Sequence, residues 1–293
     1  MAIKGAIKAA VVRTLPGVLT DWEQPNAGGG GGGFVPTPWD ISGFVTAVDS
    51  ESASWNALQS NAYGSFMNPD GTVIYVSGSG GSTVTQIPLG TAWDLSTLNQ
   101  GAATSTAALF TAGVGRTMHI DPTGTHLYFA RDSLIGRWVM STPWDVTSIG
   151  SLQSSFNPAE FTTDVLSFAL NASGTKLWML RRADDNIYEY TLSTALDLST
   201  ATLTYTFAAG TFLSDTGLLE VFVNSGGSQM FIVGSAGKIY DVRFSAQDTL
   251  ASGASLETTV TYTAGNAGLF VAQSGHVVLI GGGTFDKAWG YVF

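Results

Sequence analysis

One short element returns along the chain at nearly constant distance, and it restricts the fold more than any other feature. It reads Thr37-Pro38-Trp39-Asp40-Ile41-Ser42, then Thr91-Ala92-Trp93-Asp94-Leu95-Ser96, Thr142-Pro143-Trp144-Asp145-Val146-Thr147 and Thr194-Ala195-Leu196-Asp197-Leu198-Ser199. A worn fifth copy is read at Ser245-Ala246-Gln247-Asp248-Thr249, which puts the aspartates at steps of 54, 51, 52 and 51 residues. A second element alternates with the first: Asn68-Pro69-Asp70-Gly71, Asp121-Pro122-Thr123-Gly124, Asn171-Ala172-Ser173-Gly174 and Asn224-Ser225-Gly226-Gly227, with only Gly275 kept in the last copy. Asn or Asp followed three residues later by Gly marks a type I turn between strands. Each such turn leads into a β-branched or aromatic run, such as Val73-Ile74-Tyr75-Val76 or Leu177-Trp178-Met179-Leu180, which suits a strand with little exposure.

Each repeat therefore predicts about four short strands: an inner strand before the turn, a second after it, a third that alternates as in Ile187–Leu192, and an outer Thr/Ser-rich strand beyond the Trp-Asp element. Four strands per unit of roughly 50 residues, repeated radially, is the arithmetic of a propeller blade. The expected architecture is all-β, a five-bladed β-propeller over residues 34–293. Its last blade stops short. Phe293 falls in the same column as Met140 and Val35, so the segment from Val35 onward is expected to supply the missing outer strand and close the ring. Closure would remove open strand edges.

The Trp-Asp element combined with Asn-Pro-Asp-Gly-Thr-x-x-Tyr-Val resembles a class of β-propeller repeats found in bacteriophage and marine bacterial proteins. The resemblance covers residues 34–293 and is strongest over 61–207. It implies a propeller, and by its source a virion protein, but a propeller hosts many activities. The sialidase-type Ser-x-Asp-x-Gly-x-Thr-Trp box is absent from the sequence.

Residues 1–33 stand outside the repeat. Residues 1–27 are read as an anchoring arm and Gly28–Gly33 as a flexible linker. Ile3, Ile7, Val11 and Leu15 recur every four residues as one helical stripe, and Leu19 and Trp22 extend the apolar surface beyond Pro16-Gly17. Lys4, Lys8 and Arg13 make the arm basic. Such an arm has no core of its own and calls for a partner. Three basic residues are few for stable membrane anchoring, so other virion proteins of a capsid or tail are the expected partners. No 18-residue apolar run occurs, and the start does not fit a cleaved signal peptide.

The chain of 293 residues carries 12 Lys and Arg against 22 Asp and Glu, a formal charge of −10, and no cysteine. An acidic balance argues against a nucleic-acid partner. The absence of cysteine removes disulfide scaffolds and thiol chemistry. No Gly-x-Ser-x-Gly, His-Glu-x-x-His or P-loop pattern occurs. His119 and His126 could share a metal across their tight turn, but no cluster of carboxylates accompanies the three histidines His119, His126 and His276 in the sequence. No cofactor, metal or catalytic residue is expected. The carboxylates Glu160, Asp164, Asp184, Asp185, Asp215 and Glu220 fall in no catalytic motif.

Trp39, Trp93 and Trp144 can be read as sugar platforms, but a residue recurring once per blade and replaced by Leu196 reads first as packing. Asp40, Asp94, Asp145 and Asp197 are expected to cap neighbouring backbone N–H groups. The loops joining second and third strands vary while the strands repeat, so Arg131, Asp132, Arg181, Arg182, Asp184 and Asp185 are the candidate ligand-facing residues. A binding rim and a merely solvated rim both fit them. The expected function is a non-enzymatic phage structural protein, a head decoration, spike or tail-associated adhesin, assembled in the host cytoplasm and then extracellular. Its propeller would meet a host surface glycan or protein. The alternatives are a soluble lectin-type propeller and, behind it, a glycoside-active enzyme.

Overall fold

A computed structural model describes Trp39, Ile41 and residues 62–78, 81–111, 115–161, 165–261, 267–271, 277–281 and 287–291. The arm residues Ile3, Ile7, Val11, Leu15, Leu19 and Trp22 lie outside the described residues, as do the linker, Val35, Asp40, Asp164, His276 and Phe293.

The fold is an all-β β-propeller. Its first sheet runs β1 (Ala62–Met67), β2 (Val73–Gly78), β3 (Val84–Pro88) and β4 (Thr104–Ser105). The second is β5 (Gly115–Ile120), β6 (His126–Arg131), β7 (Leu134–Met140) and β8 (Ile149–Phe156). The third is β9 (Val165–Leu170), β10 (Lys176–Arg181), β11 (Asn186–Leu192) and β12 (Ala201–Phe207). The fourth is β13 (Leu218–Val223), β14 (Gln229–Gly234), β15 (Lys238–Ala246) and β16 (Thr249–Thr261). A three-stranded sheet follows, β17 (Ala267–Val271), β18 (Val277–Gly281) and β19 (Lys287–Tyr291). Every pairing is antiparallel between chain neighbours. The first strands lie side by side, β1 next to β5, β5 to β9, β9 to β13, β13 to β17 and β17 to β1.

The core sits between successive sheets. Tyr75 and Val84 of the first pack with Ile120, Leu127 and Phe129 of the second. Trp178 and Leu180 of the third pack with Val221 and Ile232 of the fourth. The second strands β2, β6, β10 and β14 are buried through their middles because each is covered on both faces, which is why they read as continuous apolar runs.

The two repeated elements form one joint. In the four described turns the side chain of the first residue, Asn68, Asp121, Asn171 or Asn224, accepts from the backbone where the second strand opens. Asp121 Oδ1 accepts from Thr125 N at 2.8 Å and His126 N at 2.7 Å, and Asn171 Oδ1 from Thr175 N and Lys176 N, both at 2.9 Å. The fourth residue is a left-handed glycine: Gly71, Gly124, Gly174 and Gly227 have φ of 61–71°. A Cβ at Gly71 would run into the indole of Trp93, at Gly124 into Trp144, and at Gly174 into Leu196. Glycine is therefore required twice, for its φ and for the side chain that lies on it. Those side chains belong to residues that are themselves left-handed, Trp93 (φ 65), Trp144 (63) and Leu196 (65), and Trp39 shares the conformation (66). Such a φ costs about 1–2 kcal/mol in a non-glycine residue. It is held by a hydrogen bond from Trp93 N to Gly71 O at 2.9 Å, repeated as Trp144 N to Gly124 O and Leu196 N to Gly174 O.

The next residue caps a short 3-10 turn. Asp94, Asp145 and Asp197 accept the backbone N–H two residues on, Ser96, Thr147 and Ser199, at 2.9–3.0 Å. The residue after that, Ile41, Leu95, Val146, Leu198 or Leu250, is at most 1% exposed and anchors the joint in the core.

The structure corrects the fifth copy by one residue. Asp248, not Gln247, has the left-handed φ (59°), donates its N–H to Gly227 O, and lies on that glycine where the other copies place Trp or Leu. Thr249 thus takes the aspartate column, and Leu250 the buried one. The error arose because both columns accept Asp, and only backbone conformation tells them apart.

Candidate functional site

Four of the charged candidates, Asp132, Arg182, Asp184 and Asp185, stand in the loops between second and third strands, while Arg131 and Arg181 are the last residues of β6 and β10. Arg131 and Asp132 lie 3.6 Å apart, with the guanidinium over the Phe110 ring at 5.0 Å and Asp132 half exposed. Arg181 is drawn into a tighter cluster. Its Nε donates to Asp184 Oδ1 at 3.0 Å, its Nη1 to the Glu160 carbonyl at 2.6 Å, and it covers the Tyr188 ring at 5.0 Å. Tyr188 Oη and Asn186 Nδ2 also donate to Asp184 Oδ2, both at 2.9 Å. Burial alone would raise the Asp184 pKa, but these donors outweigh it and hold the carboxyl below the usual range. Asp185 is left-handed (φ 52) and its two oxygens accept Gly217 N and Leu218 N at 2.9 Å, so it fixes the entry to β13. Arg182 is exposed. The arrangement is a rim whose Arg181, Asp184 and Asp185 already hold each other or the backbone, with Arg182 and Asp132 presented outward.

The remaining carboxylate candidates separate. Glu160 accepts from Tyr190 Oη at 3.0 Å, and Asp215 from Tyr240 Oη at 2.7 Å. Glu220 lies on the innermost strand of the fourth sheet, about 4% exposed, and accepts Ser167 Oγ at 2.6 Å and Thr117 Oγ1 at 3.1 Å. Its burial drives its pKa well above the ordinary glutamate value, against the pull of the two hydroxyls. Among the described residues no group of three or more His, Asp or Glu is placed to hold a metal ion. His126 Nδ1 stands 3.3 Å from Asp121 Oδ2. His119 lies instead among rings, 5.3 Å from Phe66 and 6.3 Å from Tyr128, and burial pushes its pKa down to about 4. No described helix is long and apolar enough to cross a membrane.

A set of junction residues escaped the sequence reading. Third-strand polar side chains reach the Trp-Asp joint of the following sheet. Gln86 Oε1 accepts Val146 N at 3.0 Å, Arg137 Nη1 donates to Leu196 O at 2.7 Å, and Glu189 Oε2 accepts Leu250 N at 2.7 Å. Tyr75 Oη adds a bond to Trp144 O at 2.6 Å. At the fourth sheet Gln229 Nε2 bridges Asp241 Oδ1 at 2.7 Å and the carbonyl of Trp39 at 2.9 Å. A signal existed: Gln86, Arg137, Glu189 and Asp241 each stand seven residues before the left-handed position.

No protein-family model matches the chain, and a search of curated proteins finds no significant match. Among solved structures it is similar to a luciferin-regenerating enzyme, at 8% identity and a TM-score of 0.47 over 83% of this chain and 94% of that one. It is likewise similar to the Myceliophteria thermophila Cps50 (Swd1) β-propeller domain, at 10% identity and a TM-score of 0.47 over 85% of this chain and 99% of that one. Neither likeness bears on what the chain binds or acts on.

Proposed function

We propose that the chain is a non-enzymatic structural protein of a bacteriophage particle, a decoration, spike or tail-associated adhesin. Residues 1–33 hold it to capsid or tail proteins, and a five-bladed propeller, closed by the segment that follows the glycine linker, is displayed outward. The blade count and the closure are part of the same proposal. One observation carries it: Trp39 and Ile41, just beyond the linker, are 7% and 1% exposed and pack with Phe231, Val233 and Ile239 of the fourth sheet and Leu269 and Val271 of the next. The Gln229 bond to the Trp39 carbonyl treats this segment as the other sheets treat their successor's joint. An arm joined to so deeply packed a residue transmits whatever hold it has on a particle to the whole propeller.

The outward rim then works by avidity, many copies each making a weak contact with a host surface glycan or protein. Arg182 and Asp132 are the side chains presented for it. The test deletes residues 1–33 and measures copies per purified particle. Loss of incorporation with the circular dichroism spectrum of the propeller retained supports the proposal, and wild-type incorporation refutes it. Turnover of polysaccharides by the deleted protein would support the enzyme alternative instead.

A further inference from the structure

Glu220 presents a geometry that the display role does not use. Its strand β13 lies beside β9, and β9 beside β5. The carboxyl bonds Ser167 on β9 and, beyond it, Thr117 on β5. Ser167 is tied again to β13, accepting from Val221 N at 3.0 Å. One side chain thus joins the first strands of three sheets near the axis. The positions matching it on β1 and β17, four residues before the turn, are Gly64 and Gly268. A Cβ at Gly64 would stand 2.8 Å from Thr117 Cα, and one at Gly268 3.0 Å from Ser65 N. Neighbouring first strands therefore approach too closely to leave room for the carboxyl between them.

An ionised carboxylate buried this way needs a cation or several strong donors. The elements packed around β13 supply few. β9, β14 and β17 carry no titratable side chain; β5 carries Arg116 and His119, β1 carries Tyr63, and β10 carries Lys176 and Arg181. Lys176 pairs with Glu189 at 2.8 Å and Arg181 with Asp184, while His119 is held neutral. The influences that act on Glu220 are burial and its two hydroxyl partners.

We propose that Glu220 is a proton-dependent latch on the propeller axis: neutral, it rests buried and ties β5, β9 and β13 together, whereas the anion, though a stronger acceptor for the two hydroxyls, has no cation beside it and draws water in, which loosens the packing of those strands. The sign follows from linkage. The folded pKa lies above the unfolded one, so the folded state holds a proton the unfolded state has released. The stabilisation is complete below the unfolded value and is lost as pH rises through the folded one.

The test compares the full chain with E220Q, an uncharged isostere able to accept the same two hydroxyls, by urea unfolding from pH 5 upward and by hydrogen exchange at matched pH. The folding constant of the wild type should fall relative to E220Q by about tenfold per pH unit until the folded pKa is reached. Amides of β9 and β13 should exchange faster than in E220Q only at high pH. Parallel stability profiles overturn the proposal, as does equal exchange at every pH. Should E220Q fail to fold, the infrared spectrum of the wild type at pH 7 decides. A protonated-carboxyl band that shifts in S167A supports the latch, and its absence overturns it.

Discussion

Gly124 and Trp144 give the sharpest test of the joint on which the repeat is built. Gly124 has φ +70, and a Cβ added there would stand within 2.5 Å of the indole Cδ1. Gly124→Ala should therefore incur two costs. The left-handed backbone costs about 1–2 kcal/mol in alanine. The displaced indole loses its packing; removing a fully buried Trp costs about 3–5 kcal/mol. Trp144 is half-buried, so about half of that applies, ~1.5–2.5 kcal/mol. The single variant should then lose ~2.5–4.5 kcal/mol. Trp144→Ala alone should lose the packing part only. In the double variant the alanine Cβ has nothing to displace, so the total should equal that of Gly124→Ala and not the sum of the two. The coupling energy of the cycle is ~1.5–2.5 kcal/mol, well above the ~0.3–0.5 kcal/mol within which independent sites add. Urea unfolding followed by far-ultraviolet circular dichroism measures it, since tryptophan fluorescence changes with the mutation itself. Costs that add within that margin would refute the claim that the glycine is there for the indole, leaving only its φ.

His119→Phe places at this position the residue that Phe66, Phe222 and Phe270 supply in the matching positions. With the folded pKa pushed down to about 4 from 6.5 by burial, the wild type should lose up to about 3 kcal/mol as pH falls through that window, and the variant should not. A shared acid limb in thermal melts would count against it. Trp39→Ala should lower stability by ~3–5 kcal/mol whereas deleting residues 1–33 should not change it, and equal melting temperatures for all three proteins would contradict the packed role of Trp39. Asp248→Asn should raise stability at neutral pH by under about 1 kcal/mol, because burial and Glu189 raise the Asp248 pKa while solvent screens a partly exposed group. That gain should vanish in melts run well below pH 4, where the aspartate is protonated anyway.

The strand order, the turns and the capping role of the aspartates were legible because each is a local pattern. Asn171 and Gly174 form their turn with partners no more than five residues away. Asp145 finds its main partner two residues on. What escaped depends on neighbours distant in sequence. Glu189 accepts Leu250 N across 61 residues, and Glu220 meets Thr117 across 103. Nothing within β13 distinguishes a buried glutamate from a solvated one. Asp132, Arg182, Asp184 and Asp185 stand in the loops where they were expected, whereas Arg131 and Arg181 close strands β6 and β10, and Asp185 is held by the N–H groups of Gly217 and Leu218, which no loop composition could disclose. The slip at Asp248 has the same origin, since its conformation is set by contact with Gly227, 21 residues away.

The junction side chains differ from sheet to sheet although the joints they grip are nearly alike. Gln86 and Glu189 accept a hydrogen bond from a backbone N–H of the next joint, whereas Arg137 and Gln229 donate one to a carbonyl. Genes made of similar tandem units recombine readily, gaining, losing or transposing whole units. A transposed third sheet would face Glu189 with neighbours selected for other pairings, leaving a carboxylate where a donor had stood. Each interface is thereby matched to its own pair of sheets, so a reshuffled order would leave junction groups without their partners.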